Sequence, residues 1–402
     1  MRRAAPLAAL VLLVSGCASS SRRSAPLVLR GPPHVIRVGL EHLRWPLDPA
    51  LVDGRDDTAV ARALFATPLW VADDGQLRGG LCSSWKTRRG GRRWIFKCRF
   101  ARAIAAELRR VRRLRAAPAR PLVEGARIGS VGDLVRVAFR APRPDFAWTL
   151  TSVAAAPPRA PGAFVVVSAS RRRLVAHARA GSTRLVFRRV EPHAAAVAFR
   201  RGRLDEAPVP LGDLAAALAD PRVHPFVHVR RLLGLDVVTF DAYRGSLARH
   251  PRLRSVYDRT ADRSDYDALV PEYAAPAAGS VDPADFRRAR NRVRALPRVR
   301  VPIAVPRDPD LEYGARLLVA AWRDIGLYPS VVAGARDRFR RILAPYPRPE
   351  ALRAALSGAD VVRIAWVADA RFVSPRLQGW REDALGVVDY SRVRAPAGRP
   401  RR

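Results

Sequence analysis

The sequence predicts an α/β protein with mixed sheets. Three observations carry this. Val299–Val305, Pro309–Ile325 and Tyr328–Gly334 form a strand–helix–strand unit, with Gly326 placed to end the helix. Upstream, segments of strand-type and helical period follow one another without strict alternation. The 402 residues, 49% hydrophobic, suffice for two or three domains.

The elements are expected in this order. MRRAAPLAALVLLVSGC opens with two arginines and an apolar run, Ala4–Val14. The run is far shorter than the ~20 residues of a membrane-spanning helix and fits a secretory signal. Small residues Ser15 and Gly16 precede Cys17, as in a lipobox, where the peptide is cut and the cysteine thiol is lipidated. Residues 1–16 are therefore expected as a signal peptide and 17–33 as a tether. His34–Leu40 alternates as a strand, and a loop rich in proline, aspartate and glycine follows. Helical spacing predicts a helix from Asp57 towards Pro68.

In GGLCSSWKTRRGGRRWIFKCRF, Arg89-Gly90-Gly91 marks a hairpin turn. Centring on Gly90 sets Cys82 opposite Cys98, and opposed Cβ atoms ~4.5–5.5 Å apart suit a disulfide. With Cys17 lipidated, an even pair outside the cytoplasm supports the bridge. A basic helix, Ala101–Arg115, comes next. Strands are expected at Leu134–Phe139, Phe164–Val167, Ser182–Val190, Glu206–Val209, Leu235–Asp241 and Val361–Val367. Helices are expected within Pro144–Pro158 and at His193–Phe199, Leu211–Ala219, from Pro251, at Pro283–Val293 and at Pro349–Leu356.

Net charge is +37, from 73 basic and 36 acidic residues. Nucleic acid is set aside as a partner. The arginines are scattered, the only lysines are Lys86 and Lys97, and the alanine, proline and valine content points to coding bias. Some of the charge is expected to attract anionic lipid or wall polymers. No Gly-x-Ser-x-Gly, HExxH, phosphate-loop or dinucleotide motif is present, and Pro225 separates His224 from His228. Binding, without cofactor or metal, is expected over catalysis, with an exported hydrolase as the remote alternative.

The order of several phrases resembles the family 5 solute-binding proteins, receptors of oligopeptide, dipeptide and nickel importers. They are Leu47-Asp48-Pro49, Thr67-Pro68-Leu69 to Asp74-Gly75, Gly80-Leu81-Cys82-Ser83-Ser84-Trp85, Trp94-Ile95-Phe96, Gly202-Arg203-Leu204-Asp205, Arg254 to Arg263, and Trp322 to Leu327. The resemblance implies a two-lobed, periplasmic-binding-protein-like α/β fold (type II, family 5 variant) with a hinge. It implies a first lobe at 34–235, with a subdomain at about 46–150, and a shortened second lobe at 236–365. A return segment at 366–395 and a tail at 396–402 complete it. Trp366-Val367-Ala368-Asp369 is similar to the phrase whose acid holds a peptide amino group. Asp369 and Trp366, with Trp45 and Trp380, are thus candidate ligand residues, and Trp70 and Trp148 are further aromatics for a cleft. The implied partners are a peptide or similar small solute, an ABC permease, and the membrane through the lipid anchor. The protein is expected to be a monomer in the periplasm or at the cell surface. The alternative is a divergent surface lipoprotein without a transport ligand.

Overall fold

The computed structural model describes residues 34–395, apart from 73, 242, 262–282, 307, 345 and 357–359. Cys17, the signal peptide, the tether and the tail lie outside the described residues.

The chain opens with β1 (Val35–Leu40) and α1 (Arg55–Leu64). It continues through a small ribbon, β2 (Leu69–Val71) and β3 (Leu77–Gly79), into the hairpin β4 (Cys82–Arg88) and β5 (Arg93–Cys98). Helices α2 (Ala101–Arg113) and α3 (Arg120–Val123) lead to β6 (Arg127–Val131) and β7 (Leu134–Ala138). A turn of helix, α4 (Phe146–Thr149), precedes β8 (Phe164–Ala169), β9 (Arg173–Ala178) and β10 (Arg184–Arg189). Then come α5 (Pro192–Arg200), β11 (Glu206–Pro208), α6 (Leu211–Ala219) and the long β12 (Val227–Phe240). The remainder is α7 (Pro251–Arg259), α8 (Pro283–Arg294), β13 (Arg300–Ala304), α9 (Pro309–Asp324), β14 (Tyr328–Val331), β15 (Asp337–Leu343), α10 (Pro349–Leu356) and β16 (Asp360–Val373).

A ten-stranded sheet runs β14-β13-β15-β12-β16-β11-β1-β10-β9-β8. It is mixed, as expected: β1 lies parallel to β10 and β11, whereas β12 and β16 are antiparallel. These two 14-residue strands form the centre of the sheet and join its two ends. On one side, Ile36, Val38, Leu174, Leu185 and Phe187 pack under α1. On the other, Trp322, Tyr257, Val301, Ile303 and Phe339 form a separate core, where Trp322 Nε1 donates to the carbonyl of Tyr257 at 3.2 Å.

The pairing of β12 with β16 breaks between Arg231 and Leu235. At the break the Leu233 amide donates to the carbonyl of Ala384, and the Leu233 carbonyl accepts from Ala344. A Cβ on Gly234 would lie 2.6 Å from a Leu343 methyl and 2.9 Å from the Ile342 carbonyl oxygen, so the backbone approaches closely there. This irregularity sits midway along the paired strands.

The small sheet β4-β5-β7-β6 is separate. Trp94, Phe96, Val135 and Val137 alternate inward and meet Ile104, Leu108 and Val111 of α2, spaced for one helix face. The Cys82–Cys98 disulfide closes the hairpin.

Helix α1 corrects the expected boundary: it starts at Arg55 and stops at Leu64, short of Pro68. Phe65 turns extended and bridges Pro161, and Gly162 packs so closely on Leu64 that a Cβ would fall 2.5 Å from its carbonyl carbon. β12 and β16 are each about twice as long as expected, and β6, β9 and β15 were not anticipated.

Candidate functional site

A buried group of charges gathers where α1, β11, β16 and the C-terminal segment converge. Arg55, the first residue of α1, projects into it. Its Nε lies 2.9 Å from Asp369 Oδ2 in β16, and a terminal nitrogen lies 2.5 Å from Glu382 Oε1. Arg371, two residues beyond Asp369 on the same strand face, is 3% exposed and approaches Asp369 at 3.4 Å. It also donates to Asp56 Oδ1 at 3.2 Å and to the carbonyl of Gly39 at 3.2 Å. The other oxygen of Asp56 accepts the amides of Glu41 and His42, which fixes the turn after β1.

Glu206 completes the group. It is fully buried in β11. Its Oε2 accepts from Trp380 Nε1 at 2.8 Å and from the Tyr390 hydroxyl at 2.9 Å. Its Oε1 has no hydrogen-bond partner, although Arg55 and Arg371 stand 3.7 and 3.6 Å away. The His228 ring lies against Trp380, with centroids 5.2 Å apart.

Four carboxyl groups (Asp56, Glu206, Asp369, Glu382) thus face two guanidinium groups. Removing charge from water is costly, and two cations do not neutralise four anions. Burial accordingly pushes Glu206 up to about 7, against the pull of Arg55. Burial also holds Asp369 well above the usual carboxylate range, and the adjacent Glu382 acts in the same sense while Arg55 opposes it. Asp56 is raised by burial too. The arrangement retains protons near neutrality and favours any further cationic group that reaches it.

Of the four candidate ligand residues, Asp369 and Trp380 meet in this group, joined through Arg55 and Glu206. Asp369 lies within a strand and is held by two arginines. Trp45 is partly buried and packs on the same apolar core as Trp380. The Trp366 backbone lies opposite Leu235, and its side chain is outside the described part. Trp148 stacks under the Arg348 guanidinium at 4.7 Å, and Trp70 under that of Arg392 at 4.8 Å. An open cavity of about 580 Å³ lies elsewhere, between α8, the end of α9 and β14.

Sequence reading missed Arg55, Asp56, Glu206, Arg371, Glu382 and Tyr390. One signal was available: Asp205 and Glu206 are consecutive acids in an otherwise apolar stretch, Leu204–Val209. Both are buried, so each requires a partner.

No family model and no curated protein matches the sequence. Solved structures do match. The Escherichia coli murein tripeptide binding protein MppA superposes with a TM-score of 0.77 at 13% identity, over 92% of this chain and all of that one. Haemophilus influenzae OppA in complex with the peptide RPPGFSPFR gives 0.77 at 13%, over 91% of this chain and all of that one. NikZ from Campylobacter jejuni, in complex with Ni(L-His), gives 0.70 at 12%, over 90% and 100%. At such identity the likeness establishes architecture, and the chain has the two-lobed α/β fold of these binding proteins.

Proposed function

We propose that this protein is an extracytoplasmic, lipid-anchored solute-binding protein. It captures a peptide or similar small solute between its lobes and passes it to an ABC importer. The observation that carries this reading is the end-to-end likeness, over 90% or more of the chain, to the solved structures of a murein tripeptide binding protein, of OppA in complex with a peptide and of NikZ in complex with Ni(L-His). The break in the β12–β16 pairing supports closure by hinge motion. The carboxylate excess around Asp369 supports recognition of a cationic group, as on a peptide amino terminus. Under this reading Cys17 carries the anchor, the second lobe is a shortened one, and tethering beside the permease raises effective concentration.

A second reading, a surface lipoprotein without a transport ligand, has one observation in its favour. Asp369 is already engaged by Arg55 and Arg371, so a ligand amine must displace a tethered guanidinium. Mass spectrometry of material co-purifying with the protein separates the two, together with melting-temperature shifts against a mixed peptide library. Recovery of a bound solute is expected. Its absence in both assays would leave the second reading. Cys17→Ser should abolish acylation, read as loss of the lipid mass from the N-terminal peptide.

A further inference from the structure

The small sheet has two unlike faces. One is buried beneath α2. The other carries Lys86, Arg88, Arg93, Lys97, Arg127 and Arg136, all exposed. Register arranges them in rows. Arg88 lies directly opposite Arg93, Lys86 opposes Ile95, and Ile95 opposes Arg136. Arg93 and Arg127 flank Ala138 from either side. Both of the chain's lysines are on this face.

Like charges directly opposed across an antiparallel pair destabilise it. Among the described residues, none of Lys86, Arg88, Arg93, Arg127 or Arg136 has a carboxylate in ion-pair range, and only Lys97 approaches one, Asp133 at 3.8 Å. Arg37, Arg55, Arg110, Arg341 and Arg371, by contrast, are neutralised within the fold. Between the cations lie half-buried Ile95 and Leu134 and, at the edge, Val131, 59% exposed. The face is extended and basic, with shallow apolar relief.

We propose that this face docks the protein on an anionic phospholipid bilayer. A sheet face matches a plane, and each basic residue near an anionic membrane surface strengthens binding about fivefold. Val131 and Ile95 suit the interfacial layer. Sheets that bind single-stranded nucleic acid present aromatic side chains for base stacking; here Trp94 and Phe96 point into the core, away from this face. The segment from Cys17 to Pro33 reaches at most ~60 Å when extended, so an anchored protein is confined near the membrane with this face able to turn onto it. The biological setting rests on the lipid-anchored reading above. Acylation of Cys17 is measured separately by mass, so either idea can fail alone.

The test uses the chain from residue 17 onward, the form left once the leader is cut, with Cys17→Ala to remove acylation, so that neither the apolar run Ala4–Val14 nor a lipid binds vesicles by itself. Partitioning is measured on vesicles of phosphatidylcholine with phosphatidylglycerol, against phosphatidylcholine alone. The quadruple variant K86Q/R88Q/R93Q/R136Q should lose at least about tenfold in partition coefficient on the anionic vesicles. A control with equal charge loss on the outer surface of α2 and just past its end, R102Q/R109Q/R113Q/R115Q, should lose less than about threefold. Relief of the Arg88–Arg93 repulsion should leave the quadruple variant at least as thermostable as the parent. Should that variant misfold, the salt response of the parent decides, with binding expected to vanish near 1 M salt, where the screening length is ~3 Å. Equal losses in the two variants, or binding that persists at high salt, would overturn the proposal. So would retention on a soluble polyanion, polyphosphate or DNA, that depends on this face while vesicles are ignored.

Discussion

Arg55 at the start of α1 and Asp369 in β16 form an ion pair at 2.9 Å, and both side chains are largely shielded from solvent. The pair ties the first helix to a central strand and, through Glu382, to the C-terminal segment. Removing one partner of a buried pair leaves an uncompensated charge, at a cost of about 3–5 kcal/mol. Arg55→Ala should therefore destabilise by about that much. Adding Asp369→Asn to Arg55→Ala should recover part of the loss, because the orphaned carboxylate is gone. Denaturant unfolding of the two single variants and the double variant measures this. Strictly additive effects would mean that the two side chains do not interact.

Glu206 sets a pH dependence. Its carboxyl, near 4.5 in the unfolded chain, is pushed up to about 7 in the fold. An acid with a raised pKa favours the folded state below its unfolded value, and that advantage is lost as pH rises through the folded value. The gap corresponds to on the order of 3 kcal/mol lost between those limits. Asp369 and Asp56, raised by burial, act in the same direction. Glu206→Gln retains an acceptor for Trp380 and Tyr390 but cannot ionise. Melting curves should show a shallower decline from pH 5 to 8 for this variant, and a midpoint at pH 8 at or above that of the parent. Superimposable pH profiles would remove Glu206 as the source.

Legibility in the sequence ended where charges enter strands. The apolar halves of β12 and β16, Leu235–Phe240 and Val361–Val367, read as strands. Their continuations, Val227–Arg231 and Ala368–Val373, carry His228, Arg230, Asp369 and Arg371, which local propensity assigns to loops. Tertiary pairing overrides that preference, and those charges make up much of the candidate site. β6 was hidden in the same way by arginine, glycine and serine, and β9 by Arg173 and His177 on either side of a short apolar run. The strand–helix–strand unit β13-α9-β14 was legible because each of its elements is locally consistent. Asp308 caps α9 by accepting from the Leu311 amide, and Gly326 ends it at φ 92°.

Asp205 should prove a structural anchor. Its side chain is 1% exposed. It accepts from the amide, Nε and a terminal nitrogen of Arg37, and Arg376 Nε stands 3.2 Å away. These contacts fix β1 to the start of β11 and to the return of the chain after β16. Asp205→Ala removes the buried carboxylate that Arg37 and Arg376 share and should cost about 3–5 kcal/mol. Asp205→Asn keeps the shape and some acceptors and should cost less. Midpoints for both variants equal to the parent's in chemical denaturation would show that neither the charge nor the fork matters.

The Cys82–Cys98 bridge shows how a register forecast succeeds through a compensating irregularity. Pairs Ser84–Lys97 to Arg88–Arg93 place the hairpin centre between Gly90 and Gly91, half a residue beyond Gly90. On that register Cys82 would face position 99. A bulge between Cys82 and Ser84 absorbs one residue and returns Cys82 to face Cys98. The bridge closes a loop with a sequence separation of 16, for which chain entropy predicts about 3 kcal/mol of stabilisation. Both sulfurs lie in the core beneath α2, so reduction also loosens the packing of Trp94 and Phe96. The double variant C82A/C98A should unfold at a lower denaturant concentration than the oxidised parent, and reductant should lower the parent's midpoint while leaving the variant's unchanged. Non-reducing peptide mapping should recover a single linked peptide pair; free thiols at both positions in protein isolated from the extracytoplasmic space would contradict the bridge and the oxidising address together.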